Sequence, residues 1–247
     1  MTNPDGLSTK HVRHTRADVV AAALGILDRH GLADLTMRRL AATLSVQPSA
    51  LYWHFANKQS LLASIADQIV APVPGGERGS IDGHPGARFV GTDAETDVQR
   101  DWQAATRTQA NALRNALLTY RDGAEVVSSA LALGLGAAEA SRGLHGTISG
   151  GGFELDTATI ASAALLHYIL GHVSHEQQRL QADSLGVVAP EFSSAPESAA
   201  EATPIREAFE FGITLLLSGL ELQRRRQPVP PERSTSPLNI QSGPSAG

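Results

Sequence analysis

The sequence has no cysteine, which excludes disulfides and thiolate metal centres and suits a reducing compartment. It has no apolar run long enough to span a bilayer, and its opening MTNPDGLSTKHVRHTR is too polar for a secretory leader. A soluble, cytoplasmic protein with no membrane partner is expected. No Gly-rich phosphate loop, G-x-S-x-G nucleophile turn or H-E-x-x-H zinc motif occurs, and the triple glycine at 150–152 lacks the strand and Lys-Ser/Thr context of a phosphate-binding loop. The chain is therefore not read as an enzyme, and no catalytic residue, cofactor or resident metal is expected. Aromatic residues are scarce, at 4% of the chain. Two of the five Tyr and Trp residues, Tyr52 and Trp53, nevertheless stand side by side with His54 next to them, which makes that stretch the most informative in the chain.

A basic excess is also missing: the formal net charge is −5. Its distribution matters more than its sum. Residues 1–70 hold seven Lys/Arg against five Asp/Glu, whereas the remainder holds thirteen against twenty. Counterion release from phosphates needs local positive charge, not a basic whole chain. The charge therefore leaves open both a nucleic-acid partner and an ordinary mixed surface. A chain of 247 residues can bury one large core or two smaller ones.

Helical periodicity organises most of the sequence. Residues 1–14 read as a flexible arm. Thr15 is placed as the N-cap of a first helix, with Asp18 at its capping-box position, and Gly31 ends that helix. A second helix spans about Thr36 to Leu44, Ser45-Val46-Gln47 make a turn, and Pro48 suits the first position of a third helix, where no amide hydrogen is needed. Leu40, Ala41, Leu44, Val46, Leu51 and Phe55 are assigned to the core. Asn57 caps a fourth helix ending near Pro72, which closes a unit over 15–71. Residues 72–96, rich in Gly and Pro, read as a flexible connection. A second unit over 97–226 has helices expected at 97–120, 123–132, 134–148, 156–181 and 203–226, with a glycine break at 149–152 and a polar loop at 183–202. The Pro/Ser-rich tail 227–247 is expected to be disordered.

In the long helix over 156–181, Ile160, Ala163, Ala164, His167, Leu170, Gly171 and Ser174 share a face. The last helix is apolar round most of its circumference at 213–220. Helices apolar on nearly all sides must be covered on nearly all sides. A twofold dimer, each subunit giving two helices to a four-helix bundle, satisfies that requirement. Complete burial within a monomer is the alternative.

Two short helices joined by a tight turn read as a helix-turn-helix, which lays its second helix in the DNA major groove. The segment LTMRRLAATLSVQPSALYWHFANKQSLL, over the second to fourth helices, resembles the tetracycline-repressor (TetR) family of bacterial regulators. So do Tyr120-Arg121-Asp122-Gly123-Ala124, Gly152-Phe153 followed by His167 and Gly171, and Glu207-Ala208-Phe209 through Leu220-Glu221, in that order. The likeness covers residues 15–226 apart from the 72–96 connection and residues 128–150. It implies an all-α homodimer with an N-terminal three-helix head, joined by the fourth helix to a helical, ligand-binding C-terminal core that dimerises through a four-helix bundle. It also implies that the free protein represses from a palindromic double-stranded DNA operator and that a small-molecule inducer releases it. Carried over position by position, Arg38, Pro48, Ser49 and Ala50 face bases. Tyr52, Trp53 and His54 lie against the groove and phosphates, and Thr36 and Lys58 contact phosphates. A basic arm of Lys10, Arg13 and Arg16 reaching the minor groove stands as an alternative to a non-contacting tail.

The same resemblance places a ligand among Trp102, Gln109, Leu113, Val127, Leu131, His167, Leu170, Gly171 and His175. Family members that hold tetracycline as a magnesium chelate use a His and a Glu at positions that are Val127 and His175 here. Magnesium prefers oxygen donors, and neither replacement offers one. The inducer is therefore expected to be a small, largely apolar molecule other than tetracycline–magnesium, in a pocket that is mainly apolar with a few placed polar groups. Two alternatives stay open. One is a metal-responsive regulator using His172 and His175, whose i, i+3 spacing puts two imidazoles on adjoining faces. The other is a DNA-binding protein that needs no ligand.

Overall fold

The first helix is set by local chemistry. The Thr15 side chain accepts from the Asp18 amide and Asp18 returns the bond to the Thr15 amide, which closes a capping box at the start of α1 (Arg16–His30). These bonds from Thr15 hold the Asp18 carboxyl below its ordinary range. Gly31 stops the helix with a φ of +80°, a conformation open to glycine. Thr36 caps α2 (Met37–Thr43), Pro48 is the first residue of α3 (Pro48–Tyr52), and Asn57 with Ser60 forms a second capping box on α4 (Lys58–Val70).

The computed structural model describes residues 14–71, 73, 94–185 and 202–226. The expected arm before His14, nearly all of the 72–96 connection, the loop at 186–201 and the 227–247 tail lie outside the described residues. The chain continues as α5 (Ala94–Leu118), α6 (Gly123–Ala132), α7 (Ala138–Ser149), α8 (Leu155–Ser184) and α9 (Ala202–Arg226). Among the described residues these are the only regular elements, so the all-helical expectation holds. The helix at 94–118 starts inside the stretch read as a connection, and α8 runs past Gln181. None of these helices is long and apolar enough to cross a membrane.

The core is continuous. Val19, Ala23 and Leu27 of α1, Leu40 of α2, Leu51 of α3 and Phe55 close the head around Leu61 and Ile65 of α4. The same buried cluster extends through Leu113 and Leu117 of α5, Val126 and Val127 of α6, Leu144 and Ile148 of α7, and Leu165, Ile169 and Val173 of α8. Leu44 and Val46, assigned to the core, are half-buried against it.

The corner between α5 and α6 explains the segment Tyr120–Ala124. Asp122 is left-handed, with φ 57°. Gly123 lies so close to the end of α5 that a Cβ there would sit 2.3 Å from the Leu117 carbonyl oxygen. Gln177 of α8 donates to the Leu117 and Tyr120 carbonyls, at 2.9 and 2.8 Å, and accepts from the Ala124 amide at 3.2 Å. A buried amide group is thus satisfied by the backbone of the corner it holds.

Polar contacts fasten α9. Tyr168 donates to the Ala208 and Phe209 carbonyls and lies over Gly212, where a Cβ would be 2.0 Å from its hydroxyl oxygen. Arg107 and Asn111 of α5 donate to the two oxygens of Glu210. Arg114 and Glu176 form a buried ion pair at 2.6 Å.

A recognition surface on the head and a packed site in the core

None of the residues assigned to DNA contact lies in the core. Arg38, Pro48, Ser49 and Thr36 are exposed, while Ala50, His54 and Lys58 are half-buried. The two neighbouring arginines of α2 have different tasks. Arg39 is paired with Asp34 at 2.6 Å, whereas Arg38 is exposed and has no ion-pair partner among the described residues. Thr36 already uses its hydroxyl oxygen to accept the Arg39 amide at 3.1 Å.

α3 ends at Tyr52, so Trp53 is its C-cap and His54 lies in the following turn, not on the helix as expected. Trp53 does not pack the motif. Its side chain is 90% exposed, and that of Tyr52 is 53% exposed. A chain with so few aromatics has left one of its two tryptophans in solvent at the end of the second motif helix.

The proposed basic arm changes in one respect. Arg16 is built into the head: its guanidinium stands 4.4 Å from the Phe55 ring centroid, and it donates to the His54 carbonyl and, at 2.8 Å, to Ser64. It is not free to enter a groove. Lys10 and Arg13 lie outside the described residues. His14, the residue before the cap, has its Nε2 3.0 Å from the Leu44 carbonyl, which ties the chain entering α1 to the end of α2.

The residues assigned to a ligand fall into two groups. Trp102, Gln109, Leu113, Val127 and Leu170 are buried, and Leu131 is half-buried against the core. His167, Gly171 and His175 are exposed on the outer face of α8. The face that Ile160, Ala163, Ala164, His167, Leu170, Gly171 and Ser174 share is turned outward except at the buried Leu170 and the half-buried Ser174. α8 points Ala158, Ser162, Leu165, Leu166, Ile169 and Val173 inward instead. His167, Gly171 and His175 are therefore not brought together with Trp102 and Gln109 in this chain.

Trp102, Thr106, Gln109 and Leu113 form one stripe along α5, at i, i+4, i+7 and i+11. Trp102 meets Phe153 edge-on, with ring centroids 4.9 Å apart, and Thr106 donates to the Trp102 carbonyl. Thr106 also bonds Thr147 of α7 at 3.0 Å. Gln109 lies on Gly143 of α7, where a Cβ would be 2.0 Å from its Nε2. That Nε2 is buried without a hydrogen-bond partner. Thr106 and Gly143 escaped the sequence reading. A glycine in mid-helix is the one signal that marks the second, since it costs about 1 kcal/mol relative to alanine unless something needs the space.

An unpaired buried amide is worth about 1–3 kcal/mol of destabilisation. Gln109→Met removes it at similar volume. The ligand-free variant is expected to melt higher by several degrees, at roughly 2–4 °C per kcal/mol for a chain of this size. Thermal unfolding followed by circular dichroism measures this, and a lower melting point would show that the amide has a partner.

The two histidines of the metal reading lie in different surroundings. His172 is turned against the Tyr168 and Phe209 rings, and burial pushes its pKa below the ordinary value. His175 is exposed. Among the described residues no group of three His, Cys, Asp or Glu side chains is placed to hold a metal ion.

Comparison with known proteins covers both halves of the chain. Residues 19–65 match the family model "Bacterial regulatory proteins, tetR family", and residues 96–224 match "Tetracyclin repressor-like, C-terminal domain". The tetracycline repressor protein class G of Vibrio anguillarum is 32% identical, over 85% of this chain and 94% of its own length. Among solved structures, BioQ of Mycobacterium smegmatis is similar with a TM-score of 0.63 and 36% identity, covering 84% of this chain and 98% of that one. A structure of BioQ with its double-stranded DNA operator is similar at a TM-score of 0.60 and 35% identity, with the same coverage.

Proposed function

Because the chain belongs to the TetR family of bacterial regulators, we propose that it is a transcriptional repressor whose head binds a palindromic DNA operator and whose core binds a small inducer. The single observation that carries the DNA reading is the group Arg38, Pro48, Ser49, Tyr52 and Trp53. All are exposed on the helix-turn-helix, and none is buried in the core of the head. Arg38 supplies a planar donor pair suited to guanine, and Ala50 suits a thymine methyl. Lys58, at the start of α4, adds a cation beside a helix N-terminus, where phosphate oxygens are stabilised. A similar protein, BioQ, has been seen with its DNA operator.

A second copy of the chain completes this reading. Leu155 and Ile160 of α8 and Phe211, Leu215, Leu216 and Leu222 of α9 are large apolar side chains left in solvent. Contiguous apolar surface of that kind marks an interaction site in soluble proteins. Pairing α8 and α9 with the same helices of a second copy makes a four-helix bundle. Two heads then meet two half-sites about one helical turn apart.

The inducer is expected to insert against Trp102, Gln109, Leu113, Val127 and Leu131. The side chains around these residues are apolar apart from Gln109 and the Thr106–Thr147 pair, so the ligand is largely apolar with an acceptor for the Gln109 amide. No oxygen ligand for a magnesium chelate stands at Val127 or His175. The units read from the sequence, 15–71 and 97–226, correspond in this proposal to DNA reading and to ligand binding with dimerisation.

Selection of bound sequences from random duplex DNA at fixed salt tests the proposal. A palindromic site a little over one turn long is expected. Recovery of no preferred sequence, with only weak and strongly salt-dependent binding, would overturn it.

A further inference from the structure

Asp is among the best residues for capping its own helix. Asp122 occupies the N-cap of α6, yet its side chain makes no capping bond. The carboxylate is turned away from α6 and spent elsewhere. One oxygen accepts the amide of Leu32, at 2.7 Å, ninety positions earlier in the chain, immediately after α1 ends. The other accepts from Nε2 of Gln181, in the last part of α8. A single side chain thus touches the head on one side and the long outer helix of the core on the other.

The surroundings are shaped for this bridge. Gly31 needs glycine for its φ of +80°, and it needs it again for space, since a Cβ there would lie 2.8 Å from the Asp122 carboxylate and 3.4 Å from Arg121 Nε. Gln177, one turn before Gln181 on the same helix, pins the corner that presents Asp122. The backbone of Asp122 is left-handed, which Asp, Asn and Gly tolerate better than other residues. A second carboxylate anchors the start of α7: Asp67 of α4 accepts the amide of Ala137, the α7 N-cap, at 2.7 Å, beside Gly136, whose Cβ would be 2.8 Å from the Ala63 carbonyl.

We propose that Asp122 is a positioning residue that bridges the Leu32 amide of the head to Gln181 of α8 and so sets the angle at which the head sits on the core. Its regulatory meaning rests on the reading of the head as the DNA-binding part. A shift of α8 or of the α5–α6 corner then reaches α1 through one carboxylate.

The absence of native cysteine makes the test clean. Spin labels are placed at Ala42→Cys on α2 and Ser128→Cys on α6, both exposed sites. Labelled protein is diluted with unlabelled protein, so that pulsed dipolar spectroscopy reads the head-to-core distance within one chain, without DNA. Asp122→Gly removes the carboxylate while easing the left-handed backbone, and Gln181→Ala cuts only the α8 arm. Both are expected to broaden the distance distribution while helicity and melting stay near those of the parent. Asp122→Asn, which can still accept from Leu32 and meet a flipped Gln181 amide, is expected to restore the narrow distribution. Binding to the selected operator should fall about tenfold in Asp122→Gly, within the usual range of coupling between sites. Distributions of parental width in both Asp122→Gly and Gln181→Ala would overturn the proposal. A broadened distribution in a protein that selects no DNA sequence would uphold the bridge and overturn the DNA reading alone.

Discussion

Leu215→Asp is expected to turn a dimer into a folded monomer and to abolish tight operator binding. Leu215 is 57% exposed on the outer side of α9, so the core of one chain does not need it. Beside it, Ile160, Ala161, Ala164 and Leu216 line a shared groove between α8 and α9. In a twofold pair each substitution acts twice. Burying one leucine is worth about 1.5–3 kcal/mol, so losing two weakens association by about 4 kcal/mol, roughly a thousandfold in the dissociation constant. The carboxylate adds a desolvation penalty on top. Sedimentation velocity measures the outcome directly, and circular dichroism separates it from unfolding. A parent chain that sediments as a monomer at micromolar concentration would remove the four-helix bundle from the proposal. A Leu215→Asp variant that stays dimeric would move the interface to another face.

Arg38→Ala is expected to weaken operator binding by about 1–3 kcal/mol per half-site, roughly five- to 150-fold each, and to relax preference at one base position. The argument rests on the contrast with its neighbour. Arg39 is held by Asp34, so Arg39→Ala should change affinity little. Titration of the selected operator, and of versions altered at single positions, distinguishes the two kinds of contact. A loss shared equally by every sequence, with a shallower salt dependence, would reassign Arg38 to a phosphate.

Much of the head was legible because its signals are local. Thr15 with Asp18 and Asn57 with Ser60 act on amides within three residues of themselves, and Pro48 acts through its own fixed φ and missing amide hydrogen, so their meaning survives without knowledge of the fold. The end of α3 was less legible. Tyr52, Trp53 and His54 look like one helical run, but α3 ends at Tyr52, and Trp53 and His54 form the closing turn that leads to the buried Phe55. Arg16 was misjudged for a related reason: its partners, the Phe55 ring, the His54 carbonyl and Ser64, come from about forty positions later.

The core shows the boundary most clearly. By itself the sequence determined that α8 and α9 are helices and that both are apolar on more than one side. Periodicity reports which residues share a face and is silent on which face is buried, because two apolar stripes on one helix satisfy the same pattern. Tertiary packing decided that matter: Ser162, Leu165 and Ile169 turn inward against α5 and α7, and Ile160, His167 and Gly171 turn out. It also decided that Gln109 would be buried without a partner against Gly143, and that the Asp122 carboxylate would leave its own helix to join Leu32 and Gln181. These contacts depend on distances between segments tens of residues apart, and only closure of the chain creates them.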